Sequence, residues 1–458
     1  MKSEQTNMFS GTKRLQMDES IELTIQSLMA YAPRYRHWCI AWSGGKDSTA
    51  LLTLVIWLIN SGKIPKPETL TVMYADTRLE LTPLYFAAQE IMNELREMGI
   101  DVRVVTAPLE KRFMTYILGR GVPPPNNNTF RWCTRQIKID PMKTELEKLF
   151  REKGGFVDAE FLCSDCGEGQ IAFSGSCKCG SSKIITADFA VEHFGKNYWE
   201  ECFDHGKKPV VFKNEKVLML TGVRQGESAI RDQRIVMSCG KDGAECGQGW
   251  YQETMPEAIC DTLAPILHWR VCHVWEWLKH WAPLPEYGDF TTKPIADAYG
   301  GDEAEEINAR TGCIACPLAS KDTALDNIVK KLTWGYLLPL RRLKPIWQRL
   351  RLPQNRLRKT GLESNEKNKQ RMGPLTFEAR KAAYNDIIRI QNEINREAIK
   401  QGMPTVTLLN RQERLLIKSL WKIKKWPNRW TGEEPTADTP MDTVYPDGSI
   451  QPLLQFGN

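Results

Sequence analysis

The run of residues 37–60, HWCIAWSGGKDSTALLTLVIWLIN, constrains this chain more than any other stretch. Its opening residues alternate as a strand does, and residues 49–60 are apolar on nearly every side, as expected of a helix packed deep against a sheet. The polar hexapeptide Ser43–Ser48 sits where the strand hands over to the helix. Paired glycines, Gly44 and Gly45, let backbone N–H groups converge on an oxyanion. The helix N-terminus adds its positive end and Lys46 a full charge, so a polyphosphate such as pyrophosphate suits the junction. The spacing is not G-x-x-x-x-G-K-[ST], which argues against transfer of a terminal phosphoryl group. A plain glycine turn with a capping serine is the alternative.

The pattern around this junction repeats. Residues 19–32 carry Ile21, Ile25, Leu28 and Met29 at helical spacing, with Ser20 near a plausible N-cap. A second strand, TLTVMYADT, ends at Asp76, where a doubly wound sheet presents ligand contacts. Leu84, Ala88, Ile91, Met92 and Leu95 then share a helical face, and DVRVVTAP reads as a third strand. This rhythm predicts a doubly wound α/β domain with a mostly parallel sheet. The predicted divisions are an N-terminal part over 1–154, a cysteine-rich insertion over 155–185, the rest of the α/β domain over 186–326, a basic helical domain over 327–430 and a disordered tail over 431–458.

A chain of 458 residues suits two or three domains. Its 41% hydrophobic and 26% charged residues describe a soluble globular protein, and no apolar run reaches the roughly 18 residues of a membrane span. Residues 1–17 lack a secretory signal, so the expectation is a cytoplasmic protein without a membrane partner. A reducing compartment makes close pairs among the thirteen cysteines likelier metal ligands than disulfides. The net charge of +6 argues only weakly for a nucleic-acid partner. Its distribution says more: residues 327–362 contain no acidic residue, and residues 431–458 contain no lysine or arginine.

Several constellations carry chemistry. In RWCTRQIKIDPM, Cys133 lies among Arg131, Arg135 and Lys138, a setting that favours the thiolate. GCIACP supplies Cys313 and Cys316 at the spacing that grips one iron or one zinc. With Cys239, and Cys246 in reserve, these give enough thiolates for a 4Fe-4S cluster on Cys133, Cys239, Cys313 and Cys316. Ordinary buried or zinc-bound cysteines are the alternative. Cys163, Cys166, Cys177 and Cys179 form two knuckles within a short glycine-rich span, the pattern of a closed structural zinc site, with a nucleic-acid-contacting ribbon as the other reading. GVRQGESAIRDQR follows an apolar run with Arg224, Glu227, Arg231 and Arg234, where arginine suits bidentate phosphate or sulfate contacts. The basic segments LRRLKPIWQRLRLPQNRLRK and LIKSLWKIKKWPNRW suit phosphate neutralisation with tryptophan stacking, or else a solvated face over a core.

SGGKDS resembles the pyrophosphate-binding loop of the ATP pyrophosphatase families, also called adenine nucleotide alpha-hydrolases. RWCTRQIKIDPM resembles the cysteine motif of the phosphoadenylyl-sulfate reductases, with Thr134 where some members have a second cysteine. GVRQGES resembles a loop of the phosphorothioation sulfurtransferases. Together with GCIACP and GPLTFEARKAAYNDIIRIQ, the order of motifs over about residues 35–425 resembles the Dnd-type sulfurtransferase family of bacterial DNA phosphorothioation, a host-defence modification. The cysteine ribbon at 163–179 looks like an addition, and the region before Cys313 lacks a further nearby cysteine.

The resemblance implies ATP held by Ser43, Gly44, Gly45, Lys46, Asp47, Ser48 and Asp76. It implies magnesium at Asp47, and catalytic roles for Lys46, Asp47, Arg224 and Arg231. A DNA phosphate oxygen would be adenylated with release of pyrophosphate, and sulfur from a partner cysteine desulfurase would then displace AMP. Other phosphorothioation proteins would complete the system. Three further readings stand beside it: tRNA thiolation, reduction of activated sulfate, and an ATP-sensing subunit that binds nucleic acid without catalysis.

Overall fold

The computed structural model describes residues 15–126, 130–154, 156–158, 160–165, 169–170, 173, 175–177, 179–186, 210–212, 216–226, 259–299, 313–319, 321–361 and 369–453. Helix α1 (Met17–Tyr31) buries Ile21 and Leu28. Its N-cap is Gln16, whose N–H donates to Glu19 Oε2 at 2.7 Å, and Ser20 lies buried one turn inside, not at the cap. Strand β1 (His37–Trp42) leads through the glycine loop into helix α2 (Lys46–Asn60). Strand β2 (Thr69–Asp76), helix α3 (Thr82–Glu97), strand β3 (Asp101–Thr106) and helix α4 (Asp140–Glu152) follow. Strands β4 (Val217–Thr221) and β5 (Cys260–Leu263) complete a five-stranded sheet of order β5-β4-β1-β2-β3.

This order confirms the doubly wound α/β reading. The chain runs outward from β1 to β3, then returns to the other side of β1 for β4 and β5. β1 and β5 both pair parallel with β4, in the registers Ala41↔Thr221 and Leu263↔Leu220. The switch point therefore lies between β1 and β4, where ligands of such sheets bind beyond the carboxyl ends of the strands.

By density of contacts the chain divides into two units. One comprises Met1–Ala41, Val55–Val72 and Lys143–His268; the other comprises Trp42–Leu54, Met73–Met142 and Trp269–Asn458. In the first unit, Phe156–Asp158 pairs antiparallel with Val210–Phe212, and Phe161–Cys163 is flanked by Gly169–Gln170 and Ile184–Thr186. Pairing thus extends past residue 185, the expected end of the insertion.

In the second unit residues 343–422 carry helices α5 (Leu343–Leu350), α6 (Phe377–Lys400) and α7 (Arg411–Lys422), and also a hairpin of Arg356–Arg358 with Met372–Leu375. Its tryptophans are used for packing. Trp347 is 1% exposed and meets Phe113 edge-on, Trp421 packs on Phe377 and Tyr384, and Trp430 lies under Lys359. Several of its arginines are paired: Arg341 with Asp326, Arg342 with Glu393 and Arg349 with Asp386. Base stacking by these tryptophans is therefore not supported, because the rings fill the helical core. Arg380, in the FEARKAAY motif, is 1% exposed and donates to the carbonyls of Leu118 and Gly119 at 3.0 and 2.9 Å.

The expected disordered tail is corrected over residues 431–453. Thr436 bridges Leu357, Thr443–Val444 pairs with Ile450–Gln451, and Gln370 donates to the Asp442 carbonyl. Polar composition hid this because the segment is anchored by hydrogen bonds, not by apolar burial. Glu434 is its clasp: it accepts from Lys359 Nζ at 2.9 Å and from the Thr431 and Gly432 N–H groups at 3.1 and 2.9 Å. Burial raises its pKa, but the Lys359 ammonium and these N–H donors outweigh burial and bring it down to about 2. A depressed carboxyl stabilises the fold above its unfolded pKa and loses that contribution as pH falls through the folded value. The clasp is thus intact at pH 5 and above and released between about pH 4.5 and 2. Hydrogen exchange in residues 431–445, corrected for intrinsic rates, is expected to accelerate over that window in the wild type and to be fast throughout in Glu434→Ala.

Candidate functional site

The glycine loop is set by buried polar contacts. Trp42, the last residue of β1, donates its indole N–H to Thr49 Oγ1 at 2.9 Å, and Trp277 donates to Thr53 Oγ1 at 2.8 Å. Each satisfies a buried threonine one turn apart on α2, so the start of α2 is held in place by bonds that cannot be traded for water. Gly44 has φ +70°, and a Cβ there would lie 3.3 Å from Tyr74 Cε2 and 3.6 Å from Ala88 Cβ. A side chain at this position would meet both strain and a crowded wall. The Ser43 N–H donates to Ser48 Oγ at 3.2 Å, and Ser48 Oγ donates to the Gly45 carbonyl at 3.1 Å, closing the loop on itself.

Lys46 is 7% exposed, with its ammonium 3.4 Å from Asp47 Oδ2 and 5.1 Å from the Tyr299 ring centroid. Tyr74 lies fully buried beside Gly44, and its hydroxyl has no hydrogen-bond partner among the described residues. Burial, then the charges of Glu80 and Asp76, push that phenol well above its usual range, so it remains an O–H donor. A buried charge, an orphaned donor and a glycine cradle converge on one place. That is the donor set of an anion site.

Asp76, at the end of β2, begins a tight turn. Its Oδ1 accepts the Arg78 N–H at 2.8 Å, and Arg78 has φ +65°. Glu80 stabilises the turn by accepting from Thr77 N–H, Thr77 Oγ1 and Leu79 N–H at 3.0, 2.6 and 3.1 Å. Burial nevertheless raises the Glu80 pKa. A cavity of about 120 Å³ opens here, bounded by Asp76, Arg78, Glu80, Tyr85, Ile314 and Thr407. The Ile314 N–H donates to the Leu79 carbonyl at 2.7 Å, so the turn also anchors the segment that begins at Cys313.

Cys133, Cys313 and Cys316 are electrostatic neighbours. Trp132 places Cys133, stacking on Phe113 with 5.5 Å between centroids and donating to the Pro123 carbonyl at 3.1 Å. Cys313 and Cys316 are joined by a turn in which the Cys316 N–H donates to the Cys313 carbonyl at 3.0 Å, with Ala315 at φ +49°. The Cys133 pKa shifts in the direction opposite to the expected favoured thiolate. Burial, then the Cys316 charge, raise its pKa, and Lys138 is the weakest influence on it. Arg135 turns away to Asp140 at 3.3 Å. Burial also pushes the Cys313 thiol up to about 11, so a metal must displace a proton to bind there. Arg351, which donates to the Pro317 and Pro125 carbonyls, interacts electrostatically with Cys316.

Among the described residues one trio of candidate ligands gathers within 4.8 Å, and it is Cys163, Cys177 and Cys179. Cys163 Sγ and Cys179 Sγ are 3.7 Å apart. Tetrahedral zinc with Zn–S of about 2.3 Å requires S···S of about 3.8 Å, so this trio fits one zinc ion. The ligand atoms of Cys133, Cys313 and Cys316 do not all lie within 4.8 Å of one another. Arg224 is 5% exposed in the loop after β4, in the unit that holds the zinc trio. Arg231, Glu227, Arg234, Cys239, Cys246 and Cys166 lie outside the described residues.

Sequence patterns missed Tyr74, Glu80, Tyr299 and Arg351. Tyr74 carries a local signal, a polar ring within an apolar strand. Glu80 belongs to the local turn after Asp76, whereas Tyr299 and Arg351 reach the site through contacts remote in the chain.

A mostly parallel sheet covered by helices, with an anion-suited glycine loop after its central strand, is an α/β fold of the nucleotide-related type. The chain belongs to the phosphoadenosine phosphosulfate reductase domain family, which matches it over residues 37–283, more than half its length. It is thereby a member of a family of sulfur and nucleotide chemistry. A solved structure, the phosphoadenylyl-sulfate reductase of Candida auris in complex with phosphate, aligns at 8% identity and a TM-score of 0.28, over 58% of this chain and 88% of that one. No curated protein matches the sequence. Among the described residues no helix is long and apolar enough to cross a membrane.

The zinc fit is directly testable. Purified protein is expected to carry about one zinc per chain, and Cys163→Ser or Cys177→Ser to lose it while the β1–β5 sheet stays folded. Elemental analysis with circular dichroism reads both quantities.

Proposed function

We propose that this protein is an ATP-dependent sulfurtransferase of the pyrophosphatase type, acting on a DNA backbone phosphate. The observation that carries the reading is the Ser43–Ser48 loop, with buried Lys46 at the start of α2, in the same compact unit as Cys133, Cys313 and Cys316. The loop's N–H groups and Lys46 hold the β- and γ-phosphates of ATP, and Asp47 holds magnesium. A non-bridging oxygen of the phosphodiester attacks the α-phosphorus. The bond to the β-phosphate oxygen breaks, and Lys46 and the loop stabilise the departing pyrophosphate. The outer sulfur of a persulfide carried by a partner cysteine desulfurase then attacks the activated backbone phosphorus, and AMP leaves with the original oxygen. A thiol reductant cleaves the remaining S–S bond, leaving one sulfur on the phosphorus and a disulfide as the oxidised product.

Asp76, buried at the end of β2, orients the nucleotide, and Arg224 and Arg231 contact phosphate of the nucleic acid. An iron–sulfur cluster on Cys133, Cys313, Cys316 and a fourth ligand, Cys239 or Cys246, supplies a place to hold sulfur or exchange electrons. The mutual electrostatic influence of Cys133, Cys313 and Cys316 supports their sharing such a group. The tRNA-thiolation reading shares the loop, the cysteines and the zinc trio, and differs in the acceptor. Reduction of activated sulfate is less favoured because the loop keeps both Lys46 and Asp47, and Thr134 stands where a second cysteine would be.

Mass spectrometry of digested DNA and tRNA, from cells expressing the protein with its genomic neighbours, separates these readings. Phosphorothioate-linked dinucleotides are expected in DNA and are expected to fall by about 100-fold or more with Lys46→Ala or Asp47→Ala. Sulfur found only in tRNA bases moves the acceptor to RNA. Sulfur in neither overturns the sulfurtransferase reading.

A further inference from the structure

Tyr299 follows the helix Lys293–Ala298 and is 3% exposed. Its hydroxyl accepts the backbone N–H of Lys46 at 3.2 Å, and its ring lies under the Lys46 ammonium. The same hydroxyl is 3.4 Å from where a Cβ on Gly45 would be, so it sits directly over the glycine loop. Trp275 meets the Tyr299 ring edge-on at 5.2 Å and holds it in place.

The N–H groups at the start of a helix have no partner within the helix, and they are the donors that bind phosphate. One N–H cannot serve two acceptors at full strength. We propose that the Tyr299 hydroxyl stands where a phosphate oxygen of the nucleotide would lie, and that it sets the affinity of the loop by competing for the Lys46 N–H. The inference rests on the nucleotide reading of the loop. A charged phosphate oxygen makes the stronger bond, so the exchange favours the ligand, yet the tyrosine bond must first be given up. Removing the hydroxyl leaves the Lys46 N–H unpaired in the free protein and leaves the bound state unaffected. Affinity for polyphosphate should then rise.

Tyr299→Phe removes the hydroxyl that accepts the Lys46 N–H and keeps an aromatic ring at that position. Calorimetric titration of magnesium pyrophosphate and magnesium ATP into the full chain is expected to show about threefold to tenfold tighter binding in Tyr299→Phe than in the wild type. Equal or weaker binding in Tyr299→Phe overturns the inference and leaves the nucleotide reading intact, since a hydroxyl that donates to the ligand would be missed. Failure of both proteins to bind either ligand overturns the nucleotide reading and this inference with it. A second measurement reads the wild-type protein directly. In wild-type protein carrying 3-fluorotyrosine, the Tyr299 fluorine resonance, assigned by its loss in Tyr299→Phe or Tyr299→Leu, is expected to shift on saturation with pyrophosphate. An unmoved resonance at saturation would overturn the competition.

Discussion

The two indole-to-threonine bonds on α2 are the constraint on which the rest depends. Trp42 to Thr49 ties the end of β1 to the helix, and Trp277 to Thr53 ties the helix to the segment that runs on to Tyr299. Leu51, Leu52, Leu54, Val55, Ile56 and Leu58 bury the remaining faces of α2, each worth about 1.5–3 kcal/mol. The helix therefore cannot rotate or slide without exposing apolar surface and breaking buried hydrogen bonds. Its first turn, with Lys46 and the glycine loop, is presented rigidly beyond the sheet. A rigid cradle is what phosphate recognition needs, because the binding energy of N–H donors depends on their being aimed before the ligand arrives.

The second constraint is the turn from Asp76 to Glu80. One carboxyl, Glu80, takes three donors and holds Arg78 in a left-handed conformation, and the Leu79 carbonyl receives the Ile314 N–H. The candidate nucleotide residue Asp76 and the start of the Cys313–Cys316 turn are thus two ends of one hydrogen-bonded structure. Separate stretches of sequence are coupled here by backbone geometry. A shift at Asp76 has a short path to the Cys313–Cys316 turn, and Asp76, Glu80 and Ile314 share the wall of one cavity.

What was legible in the sequence was what is local. The strand, glycine and helix order around residues 37–60 reported β1, the loop and α2, because apolar periodicity and glycine spacing are short-range signals. The doubly wound sheet followed from the same rhythm. The cysteine knuckles reported a trio with zinc-like separation, for the same reason. Three features were not legible. The Cys133 pKa is raised by burial and then by Cys316, far along the chain, and these outweigh Lys138 of its own motif. Trp347 and Trp421 of the basic region looked available for stacking, but Trp347 packs on Phe113 and Trp421 donates to the Leu118 carbonyl. The order of residues 431–453 rests on Glu434 and Lys359, 75 residues apart. In each case the deciding contact is remote in the chain.

The central claim is that the Ser43–Ser48 loop holds the β- and γ-phosphates of ATP with the α-phosphorus open to attack. A crystal structure with magnesium and α,β-methylene ATP, which cannot lose pyrophosphate, tests it most directly. The account predicts the β- and γ-phosphates on the loop's N–H groups and Lys46, magnesium at Asp47, and the Tyr299 hydroxyl displaced from the Lys46 N–H. Nucleotide bound away from this loop, or with its γ-phosphate poised for transfer and its α-phosphate buried, would contradict it.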